Sequence, residues 1–191
     1  YQRAIAADPT NATTLGAYAL FLHTVRADMD QADQMYQRAI DAAPTNANSL
    51  TNYATFLCKF DRDSEMQTLL GQMRGRNAEF KAAAGIAEGN CMQRRGQSGT
   101  AENAYKQALA ANPQAEGALL PLAQISLQKG DYASALRYLR VVHTYVGYSP
   151  ESVKLGIEAA RKSGDTRMEE ELVRVMRGNY KSTPEAKALG I

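Results

Sequence analysis

The 191-residue chain has no tryptophan, two cysteines, two histidines and six prolines, and each scarcity narrows what it can be. Two cysteines without a nearby pair of histidines cannot close a tetrahedral metal site. The histidines, His23 and His143, stand in no Ser-His-Asp or Cys-His arrangement that the order of residues reveals, so neither is expected to be catalytic. Gly85-Ile86-Ala87-Glu88-Gly89 lacks the Lys-Ser pair and the strand context of a phosphate loop. No metal, no cofactor and no enzymatic activity are therefore expected. There is no unbroken apolar run of bilayer-spanning length, so no transmembrane helix is expected. No basic-then-apolar leader opens the chain, so no signal peptide is expected within it. Neither sign of charge dominates. The 22 Lys and Arg against 20 Asp and Glu leave +2, which gives no reason to expect nucleic acid or an anionic membrane surface as partner. What is present is 45% hydrophobic residue content, enough for one or two ordinary domains, and an abundance of alanine beside few glycines and prolines, which favours helix.

Internal repetition decides the architecture. Tyr1-Gln2-Arg3-Ala4-Ile5 recurs as Tyr36-Gln37-Arg38-Ala39-Ile40, and Pro9-Thr10-Asn11-Ala12 as Pro44-Thr45-Asn46-Ala47. At the same shift Leu15, Tyr18, Ala19, Phe21 and Leu22 return as Leu50, Tyr53, Ala54, Phe56 and Leu57. A third copy runs from Tyr105-Lys106-Gln107-Ala108-Leu109 to Asn112-Pro113. Leu15, Tyr18, Ala19 and Leu22 form one stripe of an amphipathic helix, and Ala32, Tyr36 and Ala39 form a second. Small residues at Ala19, Ala32 and Ala39 let antiparallel helices approach closely, and the Asp-Pro or Ala-Pro steps end each pair. A period of 34 to 35 residues is that of the tetratricopeptide repeat (TPR), whose helix pairs bury their stripes only by stacking. The chain is thus expected to be all-α, a right-handed TPR superhelix of antiparallel helix pairs with a concave inner face.

Later repeats are looser. Leu119, Leu122, Ala123 and Ser126 lead through Gly130-Asp131-Tyr132 to Ala135, Leu139 and Val142. A further pair spans about Pro150 to Asn179 with Gly164-Asp165 at its turn, and Pro184 opens a short capping helix near 184–190. Between Gly71 and Ala84, Arg74-Gly75-Arg76-Asn77 replaces the helix-ending proline, which predicts an irregular segment followed by a helix over Lys81–Arg95. Residues 1–191 are accordingly read as one solenoid domain of about five repeats. The first is incomplete, because the chain opens inside a second helix, so a longer solenoid is expected.

From Leu57 onward the order of features resembles the type IV pilus biogenesis and stability proteins, the PilF/PilW-type pilotin TPR lipoprotein family. A Leu-Cys ending a first helix is matched by Leu57-Cys58, and a Gly-x-Cys before a turn glycine by Gly89-Asn90-Cys91 and Gly96. Ala101 to Tyr105, Asn112-Pro113, Leu119 to Ala123 and Gly130 to Tyr132 follow in the family's order. So do Tyr138-Leu139, His143, Ser149 to Glu151, Leu155-Gly156-Ile157, Gly164-Asp165 and Pro184-Glu185-Ala186. Departures are Thr55 in place of a glycine, Ala87-Glu88 in place of Asn-Ala, and the lack of a Pro-Tyr-Pro-like segment between the cysteine motifs. The resemblance implies a non-enzymatic, monomeric scaffold at the periplasmic face of the outer membrane. Its membrane contact would be a lipidated cysteine lying before Tyr1, and its partner the pilus secretin, whose localisation and assembly it would promote. A generic TPR adaptor with another protein client is the alternative.

For Cys58 and Cys91 the residues alone leave two readings open. Both fall late in adjacent first helices, so they form either a disulfide or two buried free thiols acting as small hydrophobes. The resemblance, through its oxidising periplasm, favours the disulfide. Closing a loop of about 33 residues would contribute ~3 kcal/mol.

The candidate protein-binding groove comprises first-helix positions facing away from the second helices: Thr13, Gly16, Leu20 and His23, then Asn48, Thr51, Thr55 and Lys59. Asn90, Arg94, Gln124 and Gln128 are their counterparts in later repeats. This set is mixed polar with few charges, suited to an extended or helical protein segment held by hydrogen bonds and apolar pockets. Arg74, Arg76, Arg94 and Arg95 form a small basic cluster that reads either as a solvated face or as a docking patch for an acidic segment.

Overall fold

Many of the helices open on a side-chain cap. Asn11, Asn46 and Asn77 each accept a hydrogen bond from the backbone N–H three residues on, opening three first helices, α2 (Ala12–Phe21), α4 (Ala47–Lys59) and α6 (Ala78–Arg94). Asp28, Asp131 and Asp165 do the same for the second helices α3 (Met29–Ala42), α9 (Tyr132–Tyr145) and α11 (Thr166–Asn179). The computed structural model describes all residues from Tyr1 to Ile191, as twelve α-helices and no strand. The remaining helices are α1 (Gln2–Ala7), α5 (Asp63–Arg74), α7 (Ser98–Ala111), α8 (Glu116–Gln128), α10 (Pro150–Ser163) and α12 (Pro184–Ala188). None is long and apolar enough to cross a membrane.

Helix pairs turn at a residue with left-handed backbone. It is Gly96, Gly130 and Gly164 in the last three pairs, with φ of 73°, 78° and 77°. In the first two pairs Ala27 (φ 54°) and Asp61 (φ 55°) take the same conformation, which costs a side-chain-bearing residue roughly 1 kcal/mol. The first pair departs further. After Phe21 the α-helix widens into a π-helical turn, Leu22–Arg26, where the Leu22 carbonyl accepts from the amides of Ala27 and Asp28.

The irregular segment expected between Gly71 and Ala84 is shorter than the sequence suggests. Helix α5 continues to Arg74 and α6 starts at Ala78, not at Lys81, so only Gly75–Asn77 is non-helical. The Asn77 side chain accepts from the Phe80 N–H and so starts α6 without a proline.

Two compact units are present, Tyr1–Ala111 and Asn112–Ile191. The first is built on an aromatic column. Tyr36 of α3, wholly buried, meets Tyr53 and Phe56 of α4, each with ring centroids 5.5 Å away. Buried Leu57, Met66, Leu70, Met73 and Phe80 extend this core to Cys91. Completely burying one such side chain stabilises the fold by ~1.5–3 kcal/mol. Ion pairs then tie one repeat to the next at the edge: Arg62 to Asp33 at 2.8 Å, and Arg95 to Asp63 at 2.6 Å and Asp61 at 3.1 Å, while Arg62 also pairs locally with Glu65 at 2.6 Å. At the opposite edge Arg38 donates to the Pro9 carbonyl and Arg76 to that of Pro44.

In the second unit α8 packs on α9, and α10 on both α9 and α11. Ala123, Leu127, Ala135, Leu139 and Leu155 form one cluster, and Val153, Ile157, Leu172 and Met176 another. Helix α12 closes the second cluster by burying Ala186 against it.

Candidate protein-interaction site

The residues expected to line a groove divide by burial. In the first unit Thr13, Leu20, Asn48, Lys59 and Arg94 are exposed, while Thr51, Thr55 and Asn90 are half-buried. In the second unit Gln124 is half-buried and Gln128 exposed. Thr51 and Thr55 donate their hydroxyl protons to Ala47 and Thr51 carbonyls one turn back, at 2.8 and 2.9 Å. They therefore keep only lone pairs for a partner. Asn90 is engaged as well, its side-chain amide sharing the Tyr105 hydroxyl with that of Gln93, each at 2.8 Å.

Two of the expected groove residues do not face solvent. Gly16 is buried because α2 and α4 approach closely there; a Cβ at this position would stand 3.0 Å from Ser49 Oγ. His23 is 5% exposed, its Nδ1 hydrogen-bonded to the Tyr36 hydroxyl at 3.1 Å and its ring 5.5 Å from that of Phe56. Its repeat counterpart Cys58 is equally interior, at 3%. This position faces the next first helix, so the polarity of histidine misleads. The pairing of Cys58 was the available clue.

Cys58 and Cys91 are brought together, with Cα atoms 5.8 Å apart, linking α4 to α6. The expected arginine cluster is dispersed instead. Arg74 pairs with Glu88, Arg95 with Asp61 and Asp63, and Arg76 caps the Pro44 carbonyl while lying over the Phe80 ring. Of the four, Arg76 and Arg94 have no ion pair, and Arg94 has no hydrogen-bonded partner either; Lys59, whose ammonium rests over Phe60, likewise has no ion pair.

In the second unit His143 Nε2 lies 3.2 Å from Ser152 Oγ, a spacing that a nucleophilic site would also show. Here the hydroxyl has another duty. Ser152 is wholly buried, donates its proton to the Ser149 carbonyl at 3.1 Å and accepts from the Ser149 N–H at 3.0 Å, as half of the capping box that opens α10. The imidazole therefore donates from Nε2 and braces a helix start. Beside it is a cavity of about 260 Å³ lined by Leu136, Arg140, His143, Tyr148, Gly156 and Leu172. No group of three His, Cys, Asp or Glu side chains is gathered as a metal site.

Both histidines have their pKa lowered, chiefly by burial. At His23 the nearby Lys59 and Arg94 lower it further, whereas at His143 the contact with Ser152 and the charge of Glu171 partly oppose the shift. With folded values below the ordinary 6.5, the unfolded chain takes up protons first as pH falls. Stability is thus expected to be level above neutrality and to decline below pH ~6.5, by at most ~1.4 kcal/mol per pH unit for each histidine. Urea midpoints at pH 7.5, 6.5 and 5.5 measure this, and His23→Gln should remove part of the slope. A flat profile over that range would mean that neither ring is held neutral.

Comparison with known proteins fits this architecture. A family model of the tetratricopeptide repeat matches residues 94–143. No curated protein matches the chain. Among solved structures, the chain resembles PilW, a widely conserved type IV pilus biogenesis factor, with a TM-score of 0.68 at 23% identity, over 100% of this chain and 87% of that one. It resembles PilF of Pseudomonas aeruginosa with a TM-score of 0.68 at 21% identity, over 99% of this chain and 85% of the other. The chain has the all-α fold of these proteins, built from tetratricopeptide-type helix pairs.

Proposed function

We propose that the chain is a non-enzymatic TPR scaffold of type IV pilus biogenesis, a pilotin of the PilF/PilW kind. It binds the outer-membrane secretin, promotes the localisation and assembly of that ring, and supports pilus stability. The observation that carries this reading is the likeness to two pilus proteins over essentially the whole chain, joined to the ordered motifs that run from Leu57-Cys58 to Pro184-Glu185-Ala186. The approach of Cys58 and Cys91 to bonding distance supports a disulfide, and with it an oxidising compartment. The scaffold works at the periplasmic face of the outer membrane, as a monomer, held by a lipid anchor upstream of Tyr1. Its binding face in the first unit comprises Thr13, Leu20, Asn48, Thr51, Thr55, Lys59, Asn90 and Arg94. In the second unit, taken by itself, the candidate positions are Gln124 and Gln128.

Such a face suits a protein segment better than a small molecule. Its exposed members are spread along three helices, and its hydroxyls and amides act as scattered acceptors and donors, not as one convergent pocket. Immobilised chain is expected to retain the secretin from detergent-solubilised cell envelope. Failure to enrich the secretin over a control TPR protein would remove the pilotin reading.

A further inference from the structure

Lys59 and Arg94 are the last residues of α4 and α6, and the Cys58–Cys91 contact joins those helices beside them. Lys59 directly follows Cys58, and Arg94 lies one helical turn beyond Cys91, so the spacing of the two backbone positions is set by two helices and the contact between them. A cation in the last turn of a helix is favoured by the helix dipole, and that accounts for either one taken singly. It does not account for their surroundings. Their neighbours Arg62, Arg74 and Arg95 all have carboxylate partners, while Lys59 and Arg94 have none. Both act on the buried His23, and no carboxylate is among the groups acting on that ring, so no acidic side chain offsets the two cations there. Helix α2, which packs on α4, and the turn after it carry exposed apolar side chains. Leu20 is 39% exposed and Val25 67%, and Leu20 and Thr24 hold the repeat positions taken on α4 by Thr55 and Lys59.

We infer that Lys59 and Arg94 form an anion-recognition site at one end of the first-helix face of the first unit. Its occupant is a segment of a partner protein that carries Asp or Glu next to an apolar side chain, the carboxylate held by the two cations and the apolar group laid on Leu20. The inference rests on the reading of this face as protein-binding and names the chemistry it recognises. Phosphate suits the place less well. Phosphate sites draw on the N–H groups of helix N-termini, whereas α4 and α6 present their carbonyl ends here, whose partial negative charge tolerates a monoanion better than a dianion. An exposed apolar step beside the charge also has no use in binding phosphate.

The test uses a fluorescent, N-acetylated and C-amidated peptide containing Leu-Asp-Glu-Leu, read by anisotropy with the purified chain. Binding is expected at low salt and should weaken several-fold between ~20 and ~300 mM salt, as exposed charges are screened. Lys59→Gln and Arg94→Gln should each weaken it ~2–5-fold and the double variant ~10-fold, with the thermal midpoint unchanged because both side chains are exposed. Charge reversal, Lys59→Glu with Arg94→Glu, should transfer binding to a Leu-Lys-Lys-Leu peptide. Peptide binding should also raise the pKa of His23, followed through its imidazole NMR signals. Equal binding of Leu-Asn-Gln-Leu, equal binding by the double Gln variant, or no binding of the acidic peptide would each overturn the inference. So would displacement of the peptide by low-millimolar inorganic phosphate. If the chain still retains the secretin while the peptide fails, the proposed function stands and only this site falls; if both fail, both are lost.

Discussion

Replacing Cys58 and Cys91 together by alanine is expected to lower the free energy of unfolding by roughly 3–4 kcal/mol. The two residues are 33 apart in sequence, so a bond between them removes the closure entropy of a long loop from the unfolded chain. Both are almost completely buried, and alanine also leaves small voids where the sulfurs pack between α4 and α6. The loss should be local, because each helix pair in a repeat protein depends mainly on its neighbours. Hydrogen exchange is expected to accelerate in α4, α5 and α6, with the helices of the second unit largely unaffected. Reduced wild-type chain should match the double variant to within about 1 kcal/mol, since it lacks the same loop constraint. Thiol titration of the denatured, non-reduced protein should find no free thiol; two would end the disulfide reading.

The second large effect is expected where α6 meets α7. Gly89 lies directly against the Tyr105 ring, and a Cβ there would come within 2.4 Å of Tyr105 Cε1 and 2.6 Å of Cδ1. Tyr105 is wholly buried, and its hydroxyl, lodged between Asn90 and Gln93, keeps the ring from moving aside. Tyr105→Ala should cost ~3–5 kcal/mol through lost burial and the cavity left behind. Gly89→Ala should cost ~1–3 kcal/mol through overpacking, despite the better helix propensity of alanine. The decisive measurement is the double variant. Once the ring is gone, alanine at position 89 should become stabilising by ~0.5–1 kcal/mol, so that its effect changes sign with the background. Additive effects would show that Gly89 is retained for some reason other than the Tyr105 contact.

The repeats were legible because their signals are local. An asparagine three residues ahead of a free amide starts a helix whatever surrounds it, as Asn11 and Asn46 do, and glycine at 96, 130 and 164 supplies the backbone conformation that the turn needs. The same rules apply at Asn77, whose side chain caps α6 so that the helix starts three residues before Lys81, although no proline precedes it. The π-helical turn at Leu22–Arg26 had no comparable signature, since its residues fit an ordinary helix end equally well. The candidate binding face was legible only in part. Of the candidate positions, Thr13, Leu20, Asn48, Lys59 and Arg94 are exposed, but Gly16 and His23 are not. Which face a side chain takes follows from helical spacing, whereas whether a neighbouring helix covers it depends on partners distant in sequence.

What the sequence by itself determined was the period, the helices and the alternation of small and large core positions. Each of these is set by interactions within a few residues or by identical units repeated along the chain. Tertiary structure alone decided which polar groups remained available. It enclosed His23 among Tyr36, Phe56 and the helix ends, and turned the Ser152 hydroxyl proton to the Ser149 carbonyl. It also spent Arg74, Arg76 and Arg95 on partners 14 to 34 residues away while leaving Lys59 and Arg94 without a carboxylate. Charge pairing is decided by distance in space, which local sequence does not encode. A cluster of arginines in the sequence therefore became, in the fold, two carboxylate-paired guanidiniums, one bound to a backbone carbonyl and one, Arg94, without an ion pair.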